Sequence, residues 1–233
     1  MQTSFNRLRS YFRHSRPARG FTLIELLVVS LIIVLITGFV LFRQQGFNSS
    51  TLLRSLAYSS ALSVRQAQLY GVSVRESGVG TGKFSQGFGV QFGNSGLVDS
   101  SHYLLFADTI PASAGNGQYD AGEELPRFTL GNGRGTDYYI SDFCAHNIAS
   151  GNDECQSGGT TITSLTIFFR RPNPDGCFAT SRNPGACAVN AVPVYSYAYV
   201  QLKAAAGTDV RTVKVSSAGQ IAVCKVNADP ASC

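Results

Sequence analysis

From Phe21 to Phe42 the chain is apolar at nearly every position, and Glu25 is the only charged residue within the run. As a helix the run would be roughly 33 Å long, the depth of a bilayer's hydrocarbon core. The pattern predicts a membrane-spanning helix, with Arg43-Gln44-Gln45 at its outer interface. Beyond it, Gly46 and Asn48-Ser49-Ser50 weaken helix propensity. The pattern then changes. Leu52, Leu53, Leu56, Ala57, Ser60, Ala61, Val64 and Ala67, with Leu62 and Leu69 close by, recur at spacings of three and four. That is one apolar face of an amphipathic helix, with Arg54, Ser59, Arg65, Gln66 and Gln68 falling elsewhere. One α-helix is expected from about Thr22 to about Tyr70, ended by Gly71.

After the helix the period shifts from 3.6 to 2. Phe88–Phe92, His102–Ala107, Ile162–Phe169 and Val194–Leu202 read as strands, as do Val210–Val215 and Gln220–Lys225 around a Ser216-Ser217-Ala218-Gly219 turn. Val72–Glu76, Glu124–Leu130 and Thr136–Ser141 are weaker strand candidates, and Gly78-Val79-Gly80-Thr81-Gly82 reads as a turn or loop. The fold class is α+β: a long N-terminal helix packed on an antiparallel, β-rich globular head.

Charge changes the picture at one place. The chain has 19 basic and 14 acidic residues, and Met1–Gly20 holds Arg7, Arg9, Arg13, Arg16 and Arg19 with no acid. Without those five arginines, 14 basic residues face 14 acidic ones. The high pI therefore belongs to a short basic leader, which acts on topology by keeping to the cytoplasmic side. No small-x-small cleavage site follows the apolar run. The head should lie outside the cytoplasm.

A carboxylate just inside the hydrocarbon costs a few kcal/mol unless it is paired. Cleavage after Gly20 would give Phe21 a new α-ammonium, a natural partner for Glu25 in the same helix or in a neighbouring copy. Gly20-Phe21-Thr22-Leu23-Ile24-Glu25 resembles the prepilin processing site of type IV pilins and type II secretion pseudopilins. The resemblance implies that a prepilin peptidase cuts between Gly20 and Phe21 and methylates the Phe21 nitrogen, and that Glu25 then assists docking. It also implies partners: other pilins in a helical filament, and an assembly platform with its ATPase. The series Gly87–Phe92, Tyr103–Asp108, Gly117–Glu124 and Arg211–Val223 resembles GspH/FimT-type minor pseudopilin heads more loosely. The expected organisation is a cleaved leader at 1–20, a transmembrane assembly helix at 21–42, its amphipathic continuation at 43–71 and the head at 72–233.

All six cysteines lie in the head, an even count on the exported side, and this predicts disulfides. They fall into three near pairs: Cys144 with Cys155, Cys177 with Cys187, and Cys224 with Cys233. Each closure of roughly ten residues would contribute about 2.5–3 kcal/mol by chain entropy. A metal site is not expected, because no C-x-x-C pair exists and His146 is the only histidine nearby.

The acidic turn after Asp108 carries Asn116, Asp120, Glu123 and Glu124, which could supply some of the six to eight oxygens that calcium takes. It lacks the alternating acids of an EF-hand, and a solvated hairpin loop is the other reading. No other cofactor is expected.

The histidines are His14, His102 and His146, with no Ser/His/Asp set and no phosphate-binding glycine loop entering a helix. The chain is not expected to be an enzyme. The first functional expectation is a structural subunit of a secretion pseudopilus or pilus, a minor one by the loose likeness of its head to that class. The alternative is a DNA-binding or adhesive minor pilin at a pilus tip. Nucleic-acid binding needs a basic, aromatic-interleaved surface. The neutral mature chain offers only Arg127, Arg134, Arg170-Arg171 beside Phe168-Phe169, and Arg182.

Overall fold

The computed structural model describes residues 20–73, 76, 82, 87–93, 99–110, 115–130, 138–158, 161–205 and 208–233, with the backbone alone at 42–48, 124 and 126. The leader arginines, Val74 and Arg75 of the first strand candidate, positions 78–81, Arg134 and Thr136 lie outside the described residues. The chain divides into two units, Met1–Gln45 and Gly46–Cys233.

The helical pattern forms one hydrogen-bonded helix, α1 (Leu23–Val72), assigned without a break through Gly46. Within the first unit, Leu23–Leu41 is long and apolar enough to cross a membrane, with a mean hydropathy of 2.8 and none of it buried. Its hydroxyls are satisfied within the helix. Ser30 Oγ donates to the Leu27 carbonyl at 2.9 Å, and Thr37 Oγ1 to that of Ile33 at 2.6 Å. A segment with no free polar donor is what hydrocarbon tolerates.

In the second unit α1 lays one seam on the head. Leu53, Ala57, Ser60, Ser63, Val64, Ala67 and Gln68 are buried. Leu52, Leu62 and Leu69, by contrast, are exposed. One polar member of this seam, Gln68, is expected elsewhere from the sequence pattern. It is buried because its amide has two carbonyls to bond, those of Pro174 and Gly219. Gly71 also differs from expectation. It does not stop the helix, which continues to Val72. A Cβ there would sit 2.6 Å from the Phe169 carbonyl oxygen, so glycine permits close contact between helix and strand.

Two antiparallel sheets follow. The first has the order β3-β2-β1-β6-β7. It comprises β1 (Phe88–Gly93), β2 (His102–Ala107), β3 (Glu124–Thr129), β6 (Ser164–Phe169) and β7 (Gly176–Thr180). Its middle strands are buried on both faces, so Val90, Leu104, Leu105, Phe106, Ile167, Phe168 and Phe169 all enter the core. The second sheet has the order β10-β9-β8-β4-β5. It comprises β4 (Tyr138–Asn147), β5 (Asp153–Cys155), β8 (Tyr195–Ala204), β9 (Val210–Ser216) and β10 (Ile221–Val223). Phe143, Ala145, Ala198, Val200, Leu202, Val213 and Val215 carry it into the same core. The head is β-rich and the chain is α+β.

Three departures from the pattern have local causes. β4 runs on to Asn147 because a register shift between Ile140 and Asp142 breaks the alternation. His146 therefore lies in a strand and not in a loop. β5 is Asp-Glu-Cys, poor in strand formers, and is held by its neighbours: Cys155 faces Cys144, and Asp153 Oδ1 lies 2.6 Å from His146 Nδ1. β7 is short, with Phe178 its one large side chain among Gly, Cys, Ala and Thr. The turn between β9 and β10 needs glycine twice over, since Gly219 has φ +77° and a Cβ would meet the Pro174 carbonyl.

Candidate functional site

Thr22 precedes the first helical residue and caps it. Its Oγ1 accepts the Glu25 amide at 3.2 Å, and its carbonyl accepts the Leu26 amide at 3.2 Å. Glu25 thus sits in the first turn, where the helix dipole favours a carboxylate. Thr22 was missed from sequence, although its spacing to Glu25 is that of a capping box. Gly20 and Phe21 lie outside the helix. Phe21 is 78% exposed, and among the described residues no atom beyond its chain neighbours comes within 4 Å of where a Gly20 Cβ would be. The Gly20–Phe21 peptide is therefore accessible, non-helical and one residue before a cap. A peptidase requires a substrate of that form. The α-ammonium released at Phe21 would stand four residues before Glu25, one helical turn away.

In the head the structure joins Cys144 to Cys155, Cys177 to Cys187 and Cys224 to Cys233. Among the described residues, one group, Asp142 with Cys144 and Cys155, has metal-like spacing. Both of its sulfurs are consumed by the disulfide. Asp142 instead accepts from the Phe143 amide at 2.9 Å and the Ser157 amide at 3.1 Å.

The acidic turn is organised from within. Asp108, fully buried, accepts the amides of Asn116 (2.9 Å) and Gly117 (2.7 Å), with Arg170 Nη2 at 3.5 Å. Glu123 accepts three more: Oε1 from Thr109 and Ile110, Oε2 from Asp120. Asn116 Nδ2 donates to Asp120 Oδ2 at 2.7 Å. Burial pushes the Asp108 and Glu123 carboxyls up from their usual values, against the pull of these amides. Asn116 Oδ1 accepts the Gln118 amide at 2.8 Å, so this oxygen, Asp120 Oδ2 and both Glu123 carboxylate oxygens already have donors within the turn. The Glu124 side chain lies outside the described residues.

The Ser101, His102 and Asp99 cluster is not arranged as a catalytic relay. Ser101 Oγ and Asp99 Oδ1 both reach the same ring nitrogen of His102, Nδ1, at 2.9 and 2.7 Å. A relay needs them on opposite nitrogens. Of the basic positions considered for nucleic acid, Arg134 lies outside the described residues, and the Arg170-Arg171 pair has no open aromatic in Phe168 or Phe169. Phe168 and Phe169 are buried in the core, and Arg170 lies over the Phe168 ring beside Asp108. Neither ring can offer a face to a base.

The family model described as the prokaryotic N-terminal methylation motif matches residues 15–41. No curated protein and no solved structure matches the chain. The matched stretch contains Gly20, Phe21, the Thr22 cap, Glu25 and the whole candidate span. It supports a pilin-like structural subunit, and it implies processing by prepilin peptidase and assembly with other pilins. The apolar helix fits a single-pass membrane anchor.

Proposed function

We propose that the chain is the precursor of a minor pilin-like subunit of a type II secretion pseudopilus or a type IV pilus. The peptidase cuts the accessible Gly20–Phe21 bond and methylates Phe21. The mature subunit waits in the cytoplasmic membrane, held by its apolar helix, with the disulfide-bonded head outside the cytoplasm. An ATPase-driven platform moves it into a filament, where apolar surface leaves lipid and meets sister helices at little net hydrophobic cost. Glu25 sets register by meeting the Phe21 ammonium of a neighbour, because each charge is costly to leave bare among apolar helices. The observation that carries this reading is the coincidence of the methylation motif with an exposed Gly20–Phe21 peptide just ahead of the Thr22 cap.

The reading requires no cofactor and assigns no catalysis to the chain. The resemblance to GspH/FimT-type heads favours a minor subunit of the pseudopilus. A deletion strain scored for secretion, twitching and transformation tests the assignment. Loss of secretion supports the pseudopilus and loss of twitching supports the pilus. Loss of transformation alone supports the DNA-uptake alternative, and no change in any of the three contradicts a filament role.

A further inference from the structure

Of the three disulfides, Cys224–Cys233 stands apart in what it holds and in how it can be reached. Residue 224 prolongs the β10 edge, its amide bonding to the Thr212 carbonyl at 2.9 Å. Asn227, at φ +52°, reverses the chain and is pinned to the start of β9: its side chain accepts the Val210 amide at 2.8 Å and its own amide donates to the Val210 carbonyl at 3.0 Å. Residues 228–233 then return across Lys214. Lys214 Nζ donates to the Pro230 carbonyl at 2.8 Å and approaches that of Ala231 at 3.4 Å. The other hydrogen bonds of the returning segment are local, most of them within a short 3-10 turn capped by Asp229. The disulfide back to Cys224 is thus the principal tether of this strap. Lys214 also lies 4.3 Å from the centre of the Tyr197 ring, which stacks on His146 at 4.7 Å.

The other two bridges are embedded. Cys144–Cys155 joins facing residues of a hairpin that also has backbone pairing and the Glu154–Tyr195 bond at 2.7 Å to keep it in place. Cys187, the last residue of the turn Pro184–Cys187, is buried, and Cys177 is half-buried. Cys233 alone among the six cysteines is exposed.

We propose that Cys224–Cys233 is a redox latch: a dithiol reductant opens it ahead of the other two bridges, and opening releases residues 228–233 from Lys214. The step balances without further reactants. A thiolate of the reductant attacks the Sγ of Cys233, the exposed residue of the pair, the S–S bond breaks, and Cys224 leaves as a thiolate that takes up a proton. The reductant's second thiol displaces Cys233 as its thiol, and the reductant departs as a disulfide, two electrons poorer. The strap then loses its closure, and the Lys214 ammonium becomes free for an anionic partner. This inference is independent of the filament reading.

The test uses the full chain in detergent. It is exposed to graded dithiothreitol, quenched with a maleimide and read peptide by peptide, with Lys214 labelled in parallel by an amine-reactive ester. Cys224 and Cys233 should become labelled at a dithiol concentration at least tenfold below that needed for the other four cysteines. Lys214 labelling should rise severalfold over the same range. In a C224S/C233S variant Lys214 should be fully labelled without reductant and insensitive to it. The proposal is overturned if either other bridge opens first, or if Lys214 labelling stays unchanged once Cys224–Cys233 is open or removed.

Discussion

The Gln68 side-chain amide donates to the Gly219 carbonyl at 2.9 Å, tying the last turns of α1 to the β9–β10 turn. The same nitrogen donates to the Pro174 carbonyl at 2.8 Å. Gln68 is buried, and so is its bond to Gly219. A Gln68→Leu variant would remove the donor and leave two carbonyls short of a partner, at a cost of about 1–3 kcal/mol. Thermal melting of the mature protein in detergent should show a lower midpoint. An unchanged midpoint would mean that water replaces the amide freely.

Gly71 offers a sharper contrast. A Cβ there would overlap the Phe169 carbonyl, whereas one at Gly38 meets nothing within 4 Å. Gly71→Ala should destabilise the head by about 1–3 kcal/mol, as overpacking does. Gly38→Ala should not lower stability, since alanine is the better helix former by about 1 kcal/mol. Equal midpoints for the two variants would remove the packing argument for Gly71.

These two residues also show where the sequence was legible and where it was not. The 3.6 period located α1 to within two residues at either end, and the period of 2 located β1, β2, β6, β8 and β9. The same period picked out the inward seam of Leu53, Ala57, Ser60, Val64 and Ala67, but placed Gln68 outside it. Leu62 and Leu69 face solvent while Gln68 is buried, because the choice depends on carbonyls more than a hundred residues away. β5 was invisible for a related reason: Asp153 and Glu154 are poor strand formers whose partners, His146, Asn147 and Tyr195, lie elsewhere in the chain. The N-terminal site is local, so Gly20, Phe21 and Glu25 could be named at once. Only the Thr22 cap, visible in its spacing to Glu25, went unread.

The Asp99 carboxylate predicts a specific pH effect. Burial opposes its ionisation, but bonds from His102 and from the Ser101 hydroxyl and amide outweigh it and hold the carboxyl down at about 2, against an ordinary value of 3.8. A folded pKa below the unfolded one means that this stabilisation is complete above the unfolded value and is lost as pH falls toward 2. Asp108 and Glu123 are shifted upward and act in the opposite direction. Comparing Asp99→Asn with the parent therefore isolates the effect. The gap in melting midpoint should be constant above pH 5 and close between pH 4 and 2. A gap that stays constant to pH 2 would show that Asp99 does not titrate with folding.

At the N-terminus, processing and assembly should separate. Glu25→Ala leaves the Gly20–Phe21 bond accessible, so cleavage should proceed while incorporation into filaments falls several-fold. Gly20→Val should block cleavage, because a branched side chain is added at the bond the peptidase must admit. Immunoblots of membrane and sheared filament fractions distinguish the outcomes. Normal filament entry of the Glu25→Ala protein would remove the pairing of Glu25 with the neighbouring ammonium.

The most direct measurement is the mass and sequence of the N-terminal peptide of the protein isolated from its native membrane. The account predicts a chain that begins at Phe21 and carries one methyl group on its α-nitrogen. A protein that still begins with the arginine-rich leader would contradict it.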